Sequence, residues 1–91
     1  GQWCLVCSKN GREGSIRIHQ DADLYMTLLD ENDELSFETF FDRYHWIQIV
    51  SGKFIVNDSI VEKGDGASIS NESSIKIKCI ESGELLLFDL P

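Results

Sequence analysis

The sequence predicts an all-β fold, a small jelly-roll barrel of short antiparallel strands, and three observations carry that expectation. Apolar residues recur at every second position nearly throughout, the spacing of strands with one buried face. Turn chemistry interrupts them at short intervals: Asn10-Gly11, Asp30-Glu-Asn-Asp33, Ser51-Gly52, Asn57-Asp58, Lys63-Gly-Asp-Gly66 and Ser82-Gly83. No window sustains a helical apolar stripe over three turns. Leu24 to Leu29 is the most helix-tolerant stretch, and it is bracketed too closely to be long.

Taken in order, Gln2 to Ser8 is strand-like, and Ile16-Arg-Ile-His-Gln20 alternates. Ala22 to Leu29, Glu34 to Phe37, Tyr44 to Val50, Lys53 to Val56 and Ala67 to Ser70 follow as strand candidates. Ile75-Lys-Ile-Lys-Cys79 places Ile75, Ile77 and Cys79 on one face and Lys76 and Lys78 on the other. Glu84 to Leu90 closes the series. Roughly nine or ten strands in so short a chain suit a compact jelly roll. No repeat, low-complexity tract or linker divides residues 1–91, so one domain is expected. The lone Pro is the last residue, which places the expected end of the fold there.

The charge balance narrows the function classes. Eight Lys and Arg against sixteen Asp and Glu leave a net charge of −8. Phosphate contacts are made by clustered Lys and Arg, so nucleic acid is not an expected partner. An anionic membrane surface is excluded on the same ground. Hydrophobic residues are 42% of the chain, too many for a disordered acidic tail. Apolar runs such as Leu85 to Phe88 are far too short to span a bilayer. No basic region followed by an apolar one opens the sequence, so no signal peptide is expected and the cytoplasm is the expected location.

Cys4, Cys7 and Cys79 are an odd number, which argues against a disulfide framework and for a reducing compartment. Cys4-x-x-Cys7 lacks the second ligand pair of a zinc knuckle, and Cys79 with His19 or His45 does not supply one. On a strand its odd separation puts the two thiols on opposite faces, away from the helix N-terminus that activates a redox pair. All three are read as structural thiols.

Two segments carry a resemblance. Trp46-Ile-Gln-Ile-Val-Ser-Gly52, continuing into Lys53-Phe-Ile-Val-Asn57, looks like the end of the first cupin motif, and Val61-Glu-Lys-Gly-Asp-Gly66 like the start of the second. With Gly14-Ser15-Ile16, Ile18-His-Gln-Asp21, Leu24-Tyr25 and Leu85-Leu-Leu-Phe-Asp-Leu90, the ordered set resembles the C-terminal cupin domain of pirin-like, bacterial quercetin 2,3-dioxygenase-like proteins. The resemblance covers essentially the whole chain. It implies a two-cupin parent whose N-terminal domain carries the metal and the dioxygenase chemistry.

The resemblance also implies where metal ligands would stand. Taking Gly52 as the last Gly of the first motif puts His45 in the Glu slot, and the two His slots fall on Thr39 and Phe41, or on Glu38 and Phe40. The His slot of the second motif, counted from Gly64, is Ile75. One imidazole does not hold a divalent cation. Neither a metal nor another cofactor is therefore expected in this chain, and catalytic residues are not assigned.

In the register this implies, His45, Ile47 and Ile49 face the lumen, while Trp46 and Gln48 face out. His45 reads as a hydrogen-bonded core histidine, as the polar handle of a small apolar ligand pocket with Ile47 and Ile49, or as a general base with no evident partner. Asp21 reads as a turn anchor, Gly64-Asp65-Gly66 as a tight turn and Glu31, Asp33 and Glu34 as a solvated acidic turn. Trp3, Phe37, Phe40, Phe41, Tyr44 and Trp46 are more aromatics than one inner face can bury. Trp46 and Gln48 are thus expected at an interdomain or dimer contact, where the resemblance implies that the two cupins meet. The expected function is a metal-free, non-catalytic C-terminal cupin packed on a metal-bearing N-terminal one. The alternatives are a free-standing small cupin with an apolar ligand in its lumen and an acidic protein-interaction module.

Overall fold

The computed structural model describes residues 1–39, 42–70 and 72–91. Among the described residues, ten strands form two sheets: β1 (Cys4–Ser8), β2 (Ile16–Arg17), β3 (Asp23–Leu29), β4 (Glu34–Glu38), β5 (Tyr44–Ile49), β6 (Lys53–Val56), β7 (Ser59–Glu62), β8 (Gly66–Ile69), β9 (Ser74–Glu81) and β10 (Gly83–Leu90). One sheet has the order β2-β1-β3-β10-β5-β8, the other β4-β9-β6-β7. From β3 onward the chain crosses between sheets at nearly every connection, as a jelly roll does. The strands stay in two facing sheets and do not close into one continuous barrel.

The core is built from the inward parity of each strand. Leu29, Ile47, Ile49, Ile69, Leu85 and Leu87 of the six-stranded sheet meet Phe54, Val56, Val61, Ile75, Ile77 and Cys79 of the other. Phe54, Ile47, Ile75, Leu85 and Leu87 are wholly excluded from solvent. Burial of each such side chain contributes about 2 kcal/mol, so this interface between sheets is what holds the fold. Asn57 and Asp58 both have positive φ (43° and 73°) between the closing pair Val56 and Ser59. That is the two-residue turn whose twist matches a hairpin, and Asn and Asp tolerate it.

Four details depart from the sequence reading. Ser59–Glu62 is a strand, which its short, non-alternating Ile60-Val61 pair hid. Only Ile16 and Arg17 of the stretch 16–20 are paired, and they run parallel to β1 rather than antiparallel. A short 3-10 turn, Arg12–Gly14, precedes them. The thiols of Cys4 and Cys7 do not lie on opposite faces. The register shifts between Leu5 and Cys7, so that Cys4 opposes Met26 and Cys7 opposes Leu24. Met26 and Leu24 share a face, so the bulge at Val6 returns Cys7 to the side of Cys4.

Candidate functional site

At one end of the inner face, polar groups replace the apolar rows. Asp23 on β3, Asp89 on β10, His45 on β5 and Ile69 on β8 stand side by side across four strands. Asp89 follows Leu85 and Leu87 on the inward parity of β10, so the alternation itself buries its carboxylate. Its side chain is 5% exposed. Arg43, just before β5, neutralises it: Nε donates to Asp89 Oδ1 at 2.6 Å and a terminal nitrogen to the Asp89 carbonyl at 3.2 Å. The same guanidinium donates to the Asp21 carboxylate and carbonyl, both at 3.1 Å. Arg43 thus ties the turn before β3 to the end of β10. Its pKa is raised, first by the hydrogen bond to Asp89. Nearby, Arg12 pairs with Asp23 at 2.6 Å, closing the rim.

His45 is 1% exposed, and its Nε2 lies 3.4 Å from Asp89 Oδ1 without a hydrogen-bond partner among the described residues. Phe37 stands edge-on to the imidazole, with ring centroids 5.8 Å apart, and itself joins Tyr25 and Trp3 in an edge-to-face cluster. Trp3 is fixed by its indole N–H donating to the Ser36 carbonyl at 2.9 Å. Burial lowers the pKa of His45; Asp89 opposes that shift and Arg43 adds to it. The unfolded imidazole therefore takes up its proton at higher pH than the folded one, near 6.5. Stability from this group is fully present above that pH and is lost as pH falls through it. The urea midpoint is expected to drop between pH 7.5 and about 5.5, and His45→Gln is expected to reduce that drop.

Ile47 and Ile49, 0% and 2% exposed, lie beside Leu87 and Leu85 in the core. An open groove of about 760 Å³ lies elsewhere, on the outer side of the four-stranded sheet between Glu34, Ser36, Asn57, Lys76 and Lys78. Its lining includes none of His45, Ile47 and Ile49. Glu38 and Thr39 lie at and just beyond the end of β4, whereas Phe40 and Phe41 lie outside the described residues. His19 is exposed, and so is Cys4. Among the described residues no three His, Cys, Asp or Glu side chains converge as a metal-holding group. Nor, among them, is any helix long and apolar enough to cross a membrane.

The outward faces of the two sheets differ in kind. The four-stranded sheet shows Glu34 opposite Lys78 and Ser36 opposite Lys76, an ordinary solvated surface. The six-stranded sheet shows Cys7, Leu24, Phe88, Trp46 and Ser68 in one row and Cys4, Met26, Leu86, Gln48 and Gly66 in the next. Tyr44 and Leu28 at its ends are more than half exposed, and Trp46 is 39% exposed. Trp46 lies over Gly66, where a Cβ would collide with its six-membered ring. Its indole N–H donates to Gln48 Oε1 at 3.3 Å, and Gln48 Nε2 donates to the Asp65 carbonyl at 3.2 Å. Trp46 and Gln48 are thus set on the outer face as one fixed unit.

Residues 5–90 match the quercetinase C-terminal cupin domain family. The chain belongs to this family. Quercetin 2,3-dioxygenase of Escherichia coli K12 is 37% identical to it over 87 residues, which cover 96% of this chain and 38% of that protein. The pirin-like protein YhaK of the same organism is 31% identical over 96 residues, covering 41% of its length. The crystal structure of the E. coli pirin YhhW in complex with nickel(II) superposes with a TM-score of 0.95 at 36% identity, over 99% of this chain and 39% of that one. The chain therefore spans about two fifths of the length of these relatives.

Within the quercetinase C-terminal cupin family the motif slots acquire a structure. Ile75, in the second-motif His slot, is 0% exposed and pairs with Phe37, which in turn abuts His45. Of these slots, His45 and Ile75 both lie against Phe37, and one imidazole beside an isoleucine and a phenylalanine does not fit a divalent metal. Sequence reasoning missed Asp89 and Arg43, the most deeply buried ion pair between a guanidinium and a carboxylate in the site. The available signal was Asp89 on the buried parity of β10, because a carboxylate there requires a cation.

Proposed function

We propose that the chain is a metal-free, non-catalytic cupin domain that packs on a metal-bearing N-terminal cupin of a longer pirin-like protein. The observation that carries this reading is the apolar outer face of the six-stranded sheet. An antiparallel sheet with one side in water alternates apolar and polar residues. β10 does not alternate, because Leu86 and Phe88 are apolar on the parity that should be solvated. β3 repeats this with Leu24, Met26 and Leu28. Strands apolar on both parities are strands covered on both sides. The pinned Trp46 gives the face a rigid aromatic anchor of the kind that dominates interfaces. The donor set around His45 supports the metal-free part, and the two-fifths share of the relatives' length supports a longer parent.

The test starts from the parent reading frame, which should encode a preceding cupin with His-x-His and a later Glu and His. Expressed in trans, that segment should form a 1:1 complex with this chain, carrying metal only on its own half. Trp46→Asp should weaken the complex by at least about tenfold, as the loss of a central aromatic does, while Lys76→Asp on the other sheet leaves it unchanged. Stoichiometric nickel, iron or copper in the purified chain, or an equal effect of both substitutions, would overturn the reading.

A further inference from the structure

The buried end of the inner face holds a contested oxygen. Asp89 Oδ1 takes the Arg43 Nε–H at 2.6 Å, and His45 Nε2 faces the same atom at 3.4 Å with no hydrogen-bond partner among the described residues. Whichever ring nitrogen bears the proton of the neutral imidazole, adding the second gives an imidazolium with an Nε2–H in front of Oδ1. A charged donor in a buried setting demands an acceptor, and Oδ1 is the acceptor within reach.

We propose that His45, Asp89 and Arg43 form a proton-operated clasp, in which protonation of His45 draws Asp89 Oδ1 from the Arg43 Nε–H to the His45 Nε2–H. The proton comes from solvent and stays on the imidazole. Arg43 keeps its bonds to Asp21 and loosens from the end of β10, so the tie between the turn before β3 and β10 weakens.

The groups around His45 leave few competitors for that role. β10 presents Asp89, and the segment before β5 presents Arg43. β3 presents Asp23, held by Arg12, and Tyr25, whose hydroxyl is within 3.4 Å of Arg12. The turn before β3 presents Asp21, held by Arg43. β8 contributes Ile69, β4 contributes Phe37 and β9 contributes Ile75, none of which titrates. Asp21 and Asp23 thus each have a guanidinium partner, and among the described residues Asp89 is the carboxylate that faces the imidazole. Burial and Arg43 both oppose protonation of His45, so the clasp stays closed at neutral pH and opens on acidification.

The test is an NMR titration of the whole chain, following the His45 ring, the exposed His19 ring and the Arg43 Nε–Hε signal. The Arg43 signal should shift with the same midpoint as His45, and that transition should vanish in His45→Gln. Arg43→Gln removes both the rival donor and the opposing charge, and should raise the His45 midpoint by about one pH unit. Arg43→Lys keeps the charge, loses the Nε fork, and should give a smaller rise. An Arg43 signal that stays still while His45 titrates, or a His45 midpoint unmoved by Arg43→Gln, would overturn the clasp. So would unfolding of the wild-type chain before His45 takes up a proton.

Discussion

Replacing Asp89 with Ala is expected to cost the domain about 3 kcal/mol, the low end of the range for removing one partner of a buried ion pair. The low end applies because Arg43, 18% exposed, can turn towards water and keep Asp21. For a domain of this size the loss corresponds to a fall in melting temperature of more than about 10 °C. Arg43→Ala should be as harmful or worse at neutral pH, because it strands a carboxylate that is 5% exposed and cannot turn outward. The two variants separate on acidification. In Arg43→Ala, protonated His45 can supply the missing cation, so its deficit relative to wild type should shrink on acidification. In Asp89→Ala no such substitute exists, and His45⁺ would be a buried cation without the carboxylate that faces it in the wild type. Thermal melts at pH 7.5 and 5.5 decide this. A loss under about 1 kcal/mol for Asp89→Ala would place the pair with ordinary surface ion pairs and remove its structural role.

The elements with a clean period of two were legible from the residues alone. β5, β6 and β9 stand within a residue or two of where alternation places them, because a half-buried strand writes its inner face into the sequence. β7 was not legible, since adjacent Ile60 and Val61 point to opposite faces and mimic an irregular stretch. The bulge at Val6 was equally hidden. Register depends on which strand lies alongside, and that neighbour, β3, is set by tertiary contacts. The inward and outward parities of His45 and Trp46 could be written from motif spacing, because both residues lie within one strand. The partners of His45 could not. Asp89, Phe37 and Arg43 come from β10, from β4 and from the segment before β5, and only the jelly-roll crossings bring them together. The outer face was half legible. Leu85 to Phe88 is apolar on both parities, which departs from the alternation of a strand with one side in water, but its extension through Met26 and Trp46 needed the strand order.

Gly52→Ala is expected to be strongly destabilising, at more than about 3 kcal/mol. Two costs combine. Gly52 has φ of +84°, a left-handed conformation that costs an L side chain about 1 kcal/mol. A Cβ there would also sit 2.5 Å from the Glu81 carbonyl oxygen, 2.7 Å from that of Ser82 and 2.8 Å from Gly83 Cα. All three are backbone atoms, so relief requires the β5–β6 turn to part from the β9–β10 turn. That movement would break the reciprocal bonds of this contact, Ser51 N–H to the Glu84 carbonyl and Glu84 N–H to the Ser51 carbonyl, each 3.2 Å. Gly64 supplies the control: its φ is +88° but open space surrounds its Cβ position, so Gly64→Ala should cost only the conformational part, about 1 kcal/mol. Urea titrations of the two variants isolate the steric share, and equal losses would refute it. A large difference would mean that the closing Gly of the first cupin motif is required here by two turns in backbone contact. That requirement comes from backbone contact and conformation alone, so it does not depend on which side chains stand in the ligand slots upstream.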